Sequence, residues 1–481
     1  MSGAEREVPA RGTGHGVTLV ELAQWAGGDL VVREVPGDAN AREALLRSRV
    51  HGAALDTRAL EPGMLFVPLP GSRTDGHAFL DEAFERGAAA ALCARSVYPR
   101  VQEVTLGPLV VVDDVTAALQ RLATRVRDRW AGWVLAVTGS AGKTTTKELV
   151  SAALATAGPV LKTTGNLNNH WGVPITLLGL TPGHRAAVLE MGMNHAGEIA
   201  ALAAIAHPNA CVITNAGSAH LENMGSLEAI AREKASLAFA LKPGEPVFAG
   251  ADSPRLLAAL KGAPARIIPY GLSSAAEVRP EQVEDLGPGG SRFTVAGFPA
   301  VHLKLIGLHQ VANALAALAV ARYLKLDPQA VVAALEAYRP LKGRMEIQHA
   351  GGATLLVDHY NANPDSMRAA LATLAGWPGA ERRIAVLGDM RELGETAARL
   401  HADVGEAVRA AELWVVGEHA GDYAAGARRA GIEARRFPDK AAVAAALREQ
   451  LAPGTVVLLK ASRGAALEDV LAGLPVEPQE A

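Results

Sequence analysis

The stretch that most constrains this chain is Val134-Leu135-Ala136-Val137-Thr138-Gly139-Ser140-Ala141-Gly142-Lys143-Thr144-Thr145-Thr146. An apolar run of strand character drops into a glycine-containing turn, and Lys-Thr-Thr then opens a helix through Lys147-Glu148-Leu149-Val150. That order makes a phosphate cradle. Backbone N–H groups of the turn and of the first helical turn point at an anion, and the helix dipole adds to the attraction. Lys143 is placed to reach the outer phosphates, and the Thr144 hydroxyl to ligate Mg²⁺. The nucleotide-binding set runs over Thr138, Gly139, Ser140, Ala141, Gly142, Lys143, Thr144 and Thr145. Val137 stands where the longer phosphate-loop pattern has its first glycine, so the loop is the shorter variant Gly139-x-x-Gly142-Lys143-Thr144. The alternative is an ordinary strand–helix turn; the strand before it and the helix after it favour a nucleotide.

A chain of 481 residues is too long for one core, which predicts two or three domains. Hydrophobic residues at 49%, aromatics at only 4% and 49 glycines suit α/β layers built from Ala, Val and Leu. A net charge of −3 argues against a general nucleic-acid binder, which carries a basic footprint. Cys93 and Cys211 form no CxxC pair and read as reduced, buried thiols of a cytoplasmic protein. Residues 1–16 are polar and are expected to be a disordered leader without a signal-peptide core. No run of 18 apolar residues announces a membrane span. Only 11 of the 47 basic side chains are lysines, the first of them Lys143, so a lysine kept where an amine is needed is informative.

In chain order, a short helix is predicted over Leu19 to Trp25, and strands over Met64 to Leu69, Gly87 to Leu92 and Leu109 to Val112. The first domain then closes near residue 113. Val115, Leu119, Leu122, Val126 and Trp130 lie on one stripe at the 3.6-residue period, with Asp113 or Asp114 as cap. Beyond the phosphate loop, strand and helix alternate, which argues a parallel sheet with ligands at the carboxyl ends of its strands. At such ends stand Glu190, after Ala186 to Leu189, and Thr214-Asn215, with His220 a few residues on. Glu190 suits a Mg²⁺ carboxylate, or else a cap on the following helix. His220 alone reads as structural, and Lys234 on residue type alone as a solvated helix charge. Asn313 sits on an otherwise apolar helix and needs a partner, either a base edge or a neighbouring carbonyl. Arg292 to Val295 and Val301 to Leu305 alternate as antiparallel strands. Pro340 to Arg344 is a hinge, followed by a last domain with strands at Thr354 to Val357, Arg383 to Leu387, Leu413 to Val416 and Val456 to Leu459.

With Gly165-Asn166-Leu167-Asn168-Asn169, Glu190-Met191-Gly192, His220-Leu221-Glu222, Gly307-Leu308-His309-Gln310-Val311-Ala312-Asn313-Ala314, Tyr360 to Met367 and Gly388-Asp389-Met390-Arg391-Glu392-Leu393-Gly394, the chain resembles the Mur ligase family from about Val17 to Leu474. It is most similar to the branch that joins D-alanyl-D-alanine to a UDP-N-acetylmuramoyl tripeptide. The resemblance implies three α/β domains. A small substrate domain holding the UDP sugar is expected over 17–113, a central P-loop parallel-sheet ATPase domain over 114–342, and a Rossmann-like domain over 343–481. It implies ATP on the loop, two Mg²⁺ held by Thr144, Glu190, His220 and a carbamylated Lys234, and adenosine near Asn313 and Asp358. Arg344 would contact phosphate from the last domain, and Lys143, Glu190, His220, Lys234 and Arg344 form the implied catalytic set. Substrate contacts are implied at Thr57, Arg58, Asp75, His77, Asn166, Asn168, Asn169, Asn361 and Asn363, in a monomer without nucleic-acid partners. Ala54, Val357, His359 and Ala461 depart from the family pattern without removing a reacting group. A folylpolyglutamate-type ligase is a rival, against which the Asn-rich and Tyr-Asn-Ala-Asn stretches speak. A P-loop motor or switch would turn over nucleotide without an amino-acid acceptor.

Overall fold

The computed structural model describes residues 16–33, 39–71, 74–103, 105 and 107–477, without the side chains of 39–42. The leader expected over 1–16 lies, except for Gly16, outside the described residues.

Three large sheets follow one another along the chain. The first has five strands in the order Asp29–Val31, Leu109–Val112, Ala90–Ala94, Leu65–Phe66 and Ala53–Ala54, parallel except for the first pair. The second is wholly parallel, in the order Arg266–Tyr270, Pro246–Gly250, Ala210–Ile213, Trp133–Thr138, Ala186–Glu190 and Val160–Lys162. Its middle strands are apolar on both faces because helices cover both, as a parallel sheet requires. The phosphate-loop strand Trp133–Thr138 therefore lies in the interior of the sheet, between the strands that end in Glu190 and Ile213. The third sheet carries Glu346–Ala350 as an antiparallel edge, then Ala353–Val357, Thr455–Lys460, Arg382–Leu387, Glu412–Val416 and Arg435–Phe437 in parallel. The expected antiparallel pair is present as Ser291–Thr294 and Val301–Leu303, with Gln282–Asp285 as a third strand.

Two helices position the site. Leu308–Tyr323 is buried almost all round, and its alanines let it lie close against the phosphate-loop helix Lys143–Ala155. Val115–Arg129 starts at Asp114, whose carboxylate accepts the Ala117 N–H at 2.9 Å. Its Val115, Ala118, Leu119 and Leu122 enter the core under the first sheet with Leu19, Leu22 and Val110, while Ala123 and Trp130 enter the central core. The boundary expected at 113/114 thus falls at the cap of a helix that both cores share. The stripe differs at one place. Val126 is only half-buried, and Arg127 takes the interior position, donating to the carbonyls of Ala206, Trp130 and His207 and to Asn209 Oδ1. A long guanidinium can be buried when each donor finds an acceptor.

Candidate active site

The glycines of the phosphate loop are there for space as well as for backbone freedom. Gly142 has φ +79°, and a Cβ on it would lie 2.5 Å from Asn313 Oδ1. A Cβ on Gly139 would meet Thr214 Oγ1 at 1.8 Å. Asn215, at the end of the neighbouring strand, holds the turn, its Oδ1 accepting the N–H groups of Ser140 and Ala141 at 3.1 and 2.9 Å. The Lys143 ammonium is folded back to donate to Gly139 O at 2.8 Å. Burial pushes its pKa down, Glu190 works against that, and Arg344 adds to it.

Glu190 ends its strand with a divided carboxylate. Oε1 accepts Asn168 Nδ2 at 2.8 Å, whereas Oε2 is buried with no hydrogen-bond partner. Glu190 does not cap the following helix. That task falls to Glu233, whose two oxygens accept the N–H groups of Gly197 and Ile199. Lys234, next to it, is not the solvated charge that residue type suggests: it is 1% exposed. Burial, and then the charge of Lys143, hold its ammonium well below the ordinary lysine value, with Glu233 opposing. His220 has φ +61° and places Nδ1 2.5 Å from Glu392 Oε2. That contact holds the Glu392 carboxyl below its usual range against the opposing effect of burial.

The last unit reaches the loop directly. Arg344 Nη2 donates to Thr144 Oγ1 at 2.9 Å while its guanidinium lies 4.0 Å over the Tyr360 ring. Asn363 caps the helix Pro364–Ala375 and also donates to Ser140 O at 3.2 Å; Asp365 Oδ2 accepts the Ser218 N–H at 3.1 Å. Arg344, implied by the resemblance to contact phosphate from the last domain, thus stands at the loop. Asp358 is engaged by Lys460 at 2.6 Å and by the Met345 N–H. Asn361 Oδ1 accepts the Ala362 N–H. Asn313 is held by side chains rather than by a backbone carbonyl: Oδ1 accepts the Thr146 hydroxyl and Nδ2 donates to Gln310 Oε1. Asn169 Oδ1 accepts the N–H groups of Trp171 and Gly172, fixing the start of the helix Gly172–Leu178.

One cleft of about 1650 Å³ is lined by Ser140 to Thr145, Asn166, Asn168, Asn169, Glu190, His220, Asn313, Arg344, Asp358, Asn361 and Asn363. Thr138, Gly139 and Lys234 are not among its lining residues. Thr57, Arg58, Asp75 and His77 do not reach it; they gather at the carboxyl ends of the first sheet's strands. There Thr57 donates to Glu82, and Arg58 holds the Asp56 carboxyl at about 2 through side-chain and backbone hydrogen bonds. His77 is buried between Asp75 Oδ1 at 2.6 Å and the Ala94 N–H at 2.9 Å. Because Ala94 donates to Nε2, Nδ1 is the ring nitrogen that donates to Asp75. The sequence reading assigns no role to Asn215, Asp365, Glu392 or Lys460. Three of them had a signal: Asn215 stands at a strand's carboxyl end, Asp365 lies in the Tyr360 to Met367 motif and Glu392 in the Gly388 to Gly394 motif. Among the described residues no three His, Cys, Asp or Glu side chains form a metal cage, and no helix is long and apolar enough to cross a membrane.

Three family profiles match the chain: the Mur ligase family catalytic domain over residues 49–127, the Mur ligase middle domain over 137–321, and the Mur ligase glutamate ligase domain over 343–463. The UDP-N-acetylmuramoyl-tripeptide–D-alanyl-D-alanine ligase of Bacillus subtilis is 36% identical over 436 residues, covering 89% of this chain and 94% of the relative. The Escherichia coli protein of the same name is 37% identical, covering 95% and 98%. Among solved structures, MurF from Acinetobacter baumannii superposes with a TM-score of 0.82 at 29% identity, over 95% of this chain and 98% of that one. MurF from Thermotoga maritima, in complex with ADP, gives 0.76 at 29% identity, over 88% and 97%.

Proposed function

The chain belongs to the Mur ligase family, and on that premise we propose that it joins D-alanyl-D-alanine to a UDP-N-acetylmuramoyl tripeptide at the expense of ATP. One observation carries the reading. Lys143, Thr144, Glu190, His220 and Arg344, drawn from two units of the chain, converge on one cleft that also holds the amides of Asn166, Asn168 and Asn169.

A carboxylate is a poor acylating agent. Its oxygen therefore attacks the γ-phosphorus of ATP, ADP leaves, and an acyl phosphate forms. The dipeptide amine then attacks the acyl carbon, passes through a tetrahedral intermediate and expels phosphate. Catalysis of such a transfer is mostly positioning and charge. Lys143 leaves Gly139 O to meet the outer phosphates, and Arg344 brings a second cation from the last unit. Closure of that unit keeps water from the acyl phosphate. The orphaned, buried Glu190 Oε2 fits a cation. Two Mg²⁺, held by Thr144, Glu190, His220 and a carbamylated Lys234, would neutralise charge on the transferring phosphoryl group. With so few protein donors, such ions would take their remaining oxygens from phosphate and water, as Mg²⁺ prefers. The low-lying Lys234 ammonium supplies the neutral amine that attacks CO₂, giving a carbamate and releasing a proton.

The units of 17–113, 114–342 and 343–481 are assigned to the UDP sugar, to ATP and to closure over the acceptor. Thr57, Arg58 and Asp75 face the sugar nucleotide, with His77 holding their loop. Asn313 and Asp358 flank adenosine, and Asn361 and Asn363 line the acceptor side. The protein acts as a cytoplasmic monomer. Phosphate release from ATP should require both the UDP-muramoyl tripeptide and D-alanyl-D-alanine. Equal release without the dipeptide overturns the assignment in favour of a motor or switch ATPase.

A further inference from the structure

The phosphate-loop helix carries a second buried lysine that the reaction outlined above does not use. Lys147 lies one turn beyond Lys143 and is 1% exposed. Its ammonium donates to Thr163 O at 2.6 Å and stands 3.0 Å from Glu148 Oε1, while Glu148 Oε2 pairs with Lys162. Burying such a pair is costly, and an apolar side chain of similar volume is often as stable there. Its acceptor explains what it achieves. Thr163 directly follows the strand Val160–Lys162, a three-residue edge paired with Ala186 to Val188, and its own N–H adds one last ladder bond to Val188 O at 3.1 Å. The Thr163 hydroxyl accepts the Glu190 N–H at 2.9 Å. Thr163 also opens the loop that carries Asn168, whose amide holds Glu190 Oε1 and whose carbonyl accepts the Gly192 N–H at 2.8 Å. A short edge strand pins its own end weakly, so the Asn168 loop, and with it the hydrogen bond that orients the Glu190 carboxylate, depends on whatever clamps Thr163.

We propose that Lys147 is a positioning residue: its ammonium ties Thr163 to the phosphate-loop helix and so sets the Glu190 carboxylate and the Asn168 loop against the phosphates. The inference rests on Glu190 serving the phosphoryl transfer. Lys147→Met should lower kcat roughly 10- to 100-fold with nucleotide affinity little changed, the scale on which lost support for ligand side chains acts. Amide exchange over 163–170 should quicken by about tenfold while the helix Leu308–Tyr323 is unaffected, since only the clamp has gone. Lys147→Met leaves Glu148 with one partner and lowers stability, so Lys147→Met/Glu148→Gln separates the two effects. That double variant should regain melting temperature without regaining kcat, and Lys147→Arg, which keeps the donor, should retain more activity than either. Recovery of kcat together with melting temperature, or unchanged exchange over 163–170, overturns the positioning role. A wild-type enzyme that does not need the dipeptide defeats the ligase reading instead, so the two failures are distinguishable.

Discussion

The carboxyl ends of the first sheet and those of the central sheet are both rich in polar side chains, yet they treat them differently. In the first, each group closes on a neighbour: Arg58 on Asp56, Thr57 on Glu82, His77 between Asp75 and the Ala94 N–H. In the second, groups are held short of satisfaction. Glu190 Oε2 has no partner, Lys143 rests on a carbonyl of its own loop, and Lys234 is buried where its charge is disfavoured. Buried polarity without full pairing is expensive, and a fold keeps it where a ligand completes it. Satisfied polarity builds a rim; unsatisfied polarity marks where chemistry is done.

Substitutions can break or sharpen that contrast. The largest effect is expected at Lys234. Lys234→Ala should be nearly inactive in phosphate release and partly rescued by formate or acetate, which replace the lost oxygen ligand. Full activity of the variant would return Lys234 to the status of a buried spectator. Lys143→Ala should lower turnover by about 10³-fold with an unchanged circular dichroism spectrum, because it removes a charge aimed at the transferring group. Near-normal rates would show that this loop is not the phosphate site. Arg344→Ala should cost roughly 10²-fold in kcat and much less in ATP affinity, since Arg344 belongs to the unit that closes. A collapse of affinity at unchanged kcat would contradict this division.

On the rim the effect moves from rate to stability. His77→Ala orphans the Ala94 N–H and frees Asp75, so thermal unfolding should show a loss of about 1–3 kcal/mol while kcat stays within roughly twofold. A large fall in kcat at unchanged stability would move His77 into the chemistry. The smallest effect concerns Asp56. Its carboxyl is held at about 2 by Arg58, below its unfolded value, so the stability it lends is present above the unfolded pKa and is lost only as pH falls through about 2. Both side chains are well exposed, so that contribution is slight. Arg58→Gln should raise the Asp56 titration seen by NMR toward the ordinary aspartate value without moving the melting temperature at pH 7.

The phosphate loop was legible because its geometry is local: a strand, two glycines where a Cβ cannot fit, and a helix start. The stripe from Val115 to Trp130 was legible for the same reason, except at Arg127, where a charged residue type concealed an interior position. Lys234 was hidden likewise, since its burial comes from elements distant in the chain. The strands Val160–Lys162 and Arg435–Phe437 have three residues each, too few to show a period, and Gln282–Asp285 is exposed throughout. Contacts such as His220 with Glu392 and Asn363 with Ser140 join segments far apart in sequence, and no local pattern announces them. The motifs named both partners without pairing them.

The helix shared by two cores has a consequence for how the chain is made. During synthesis the first sheet can be complete in its strands by Val112 and still lack one wall, because Val115, Ala118, Leu119 and Leu122 have yet to emerge. The same helix must then offer Ala123 and Trp130 to a sheet whose first strand begins at Trp133. Nascent chain of intermediate length therefore exposes an apolar stripe that water cannot satisfy, a point of vulnerability to misassembly until the central sheet is translated.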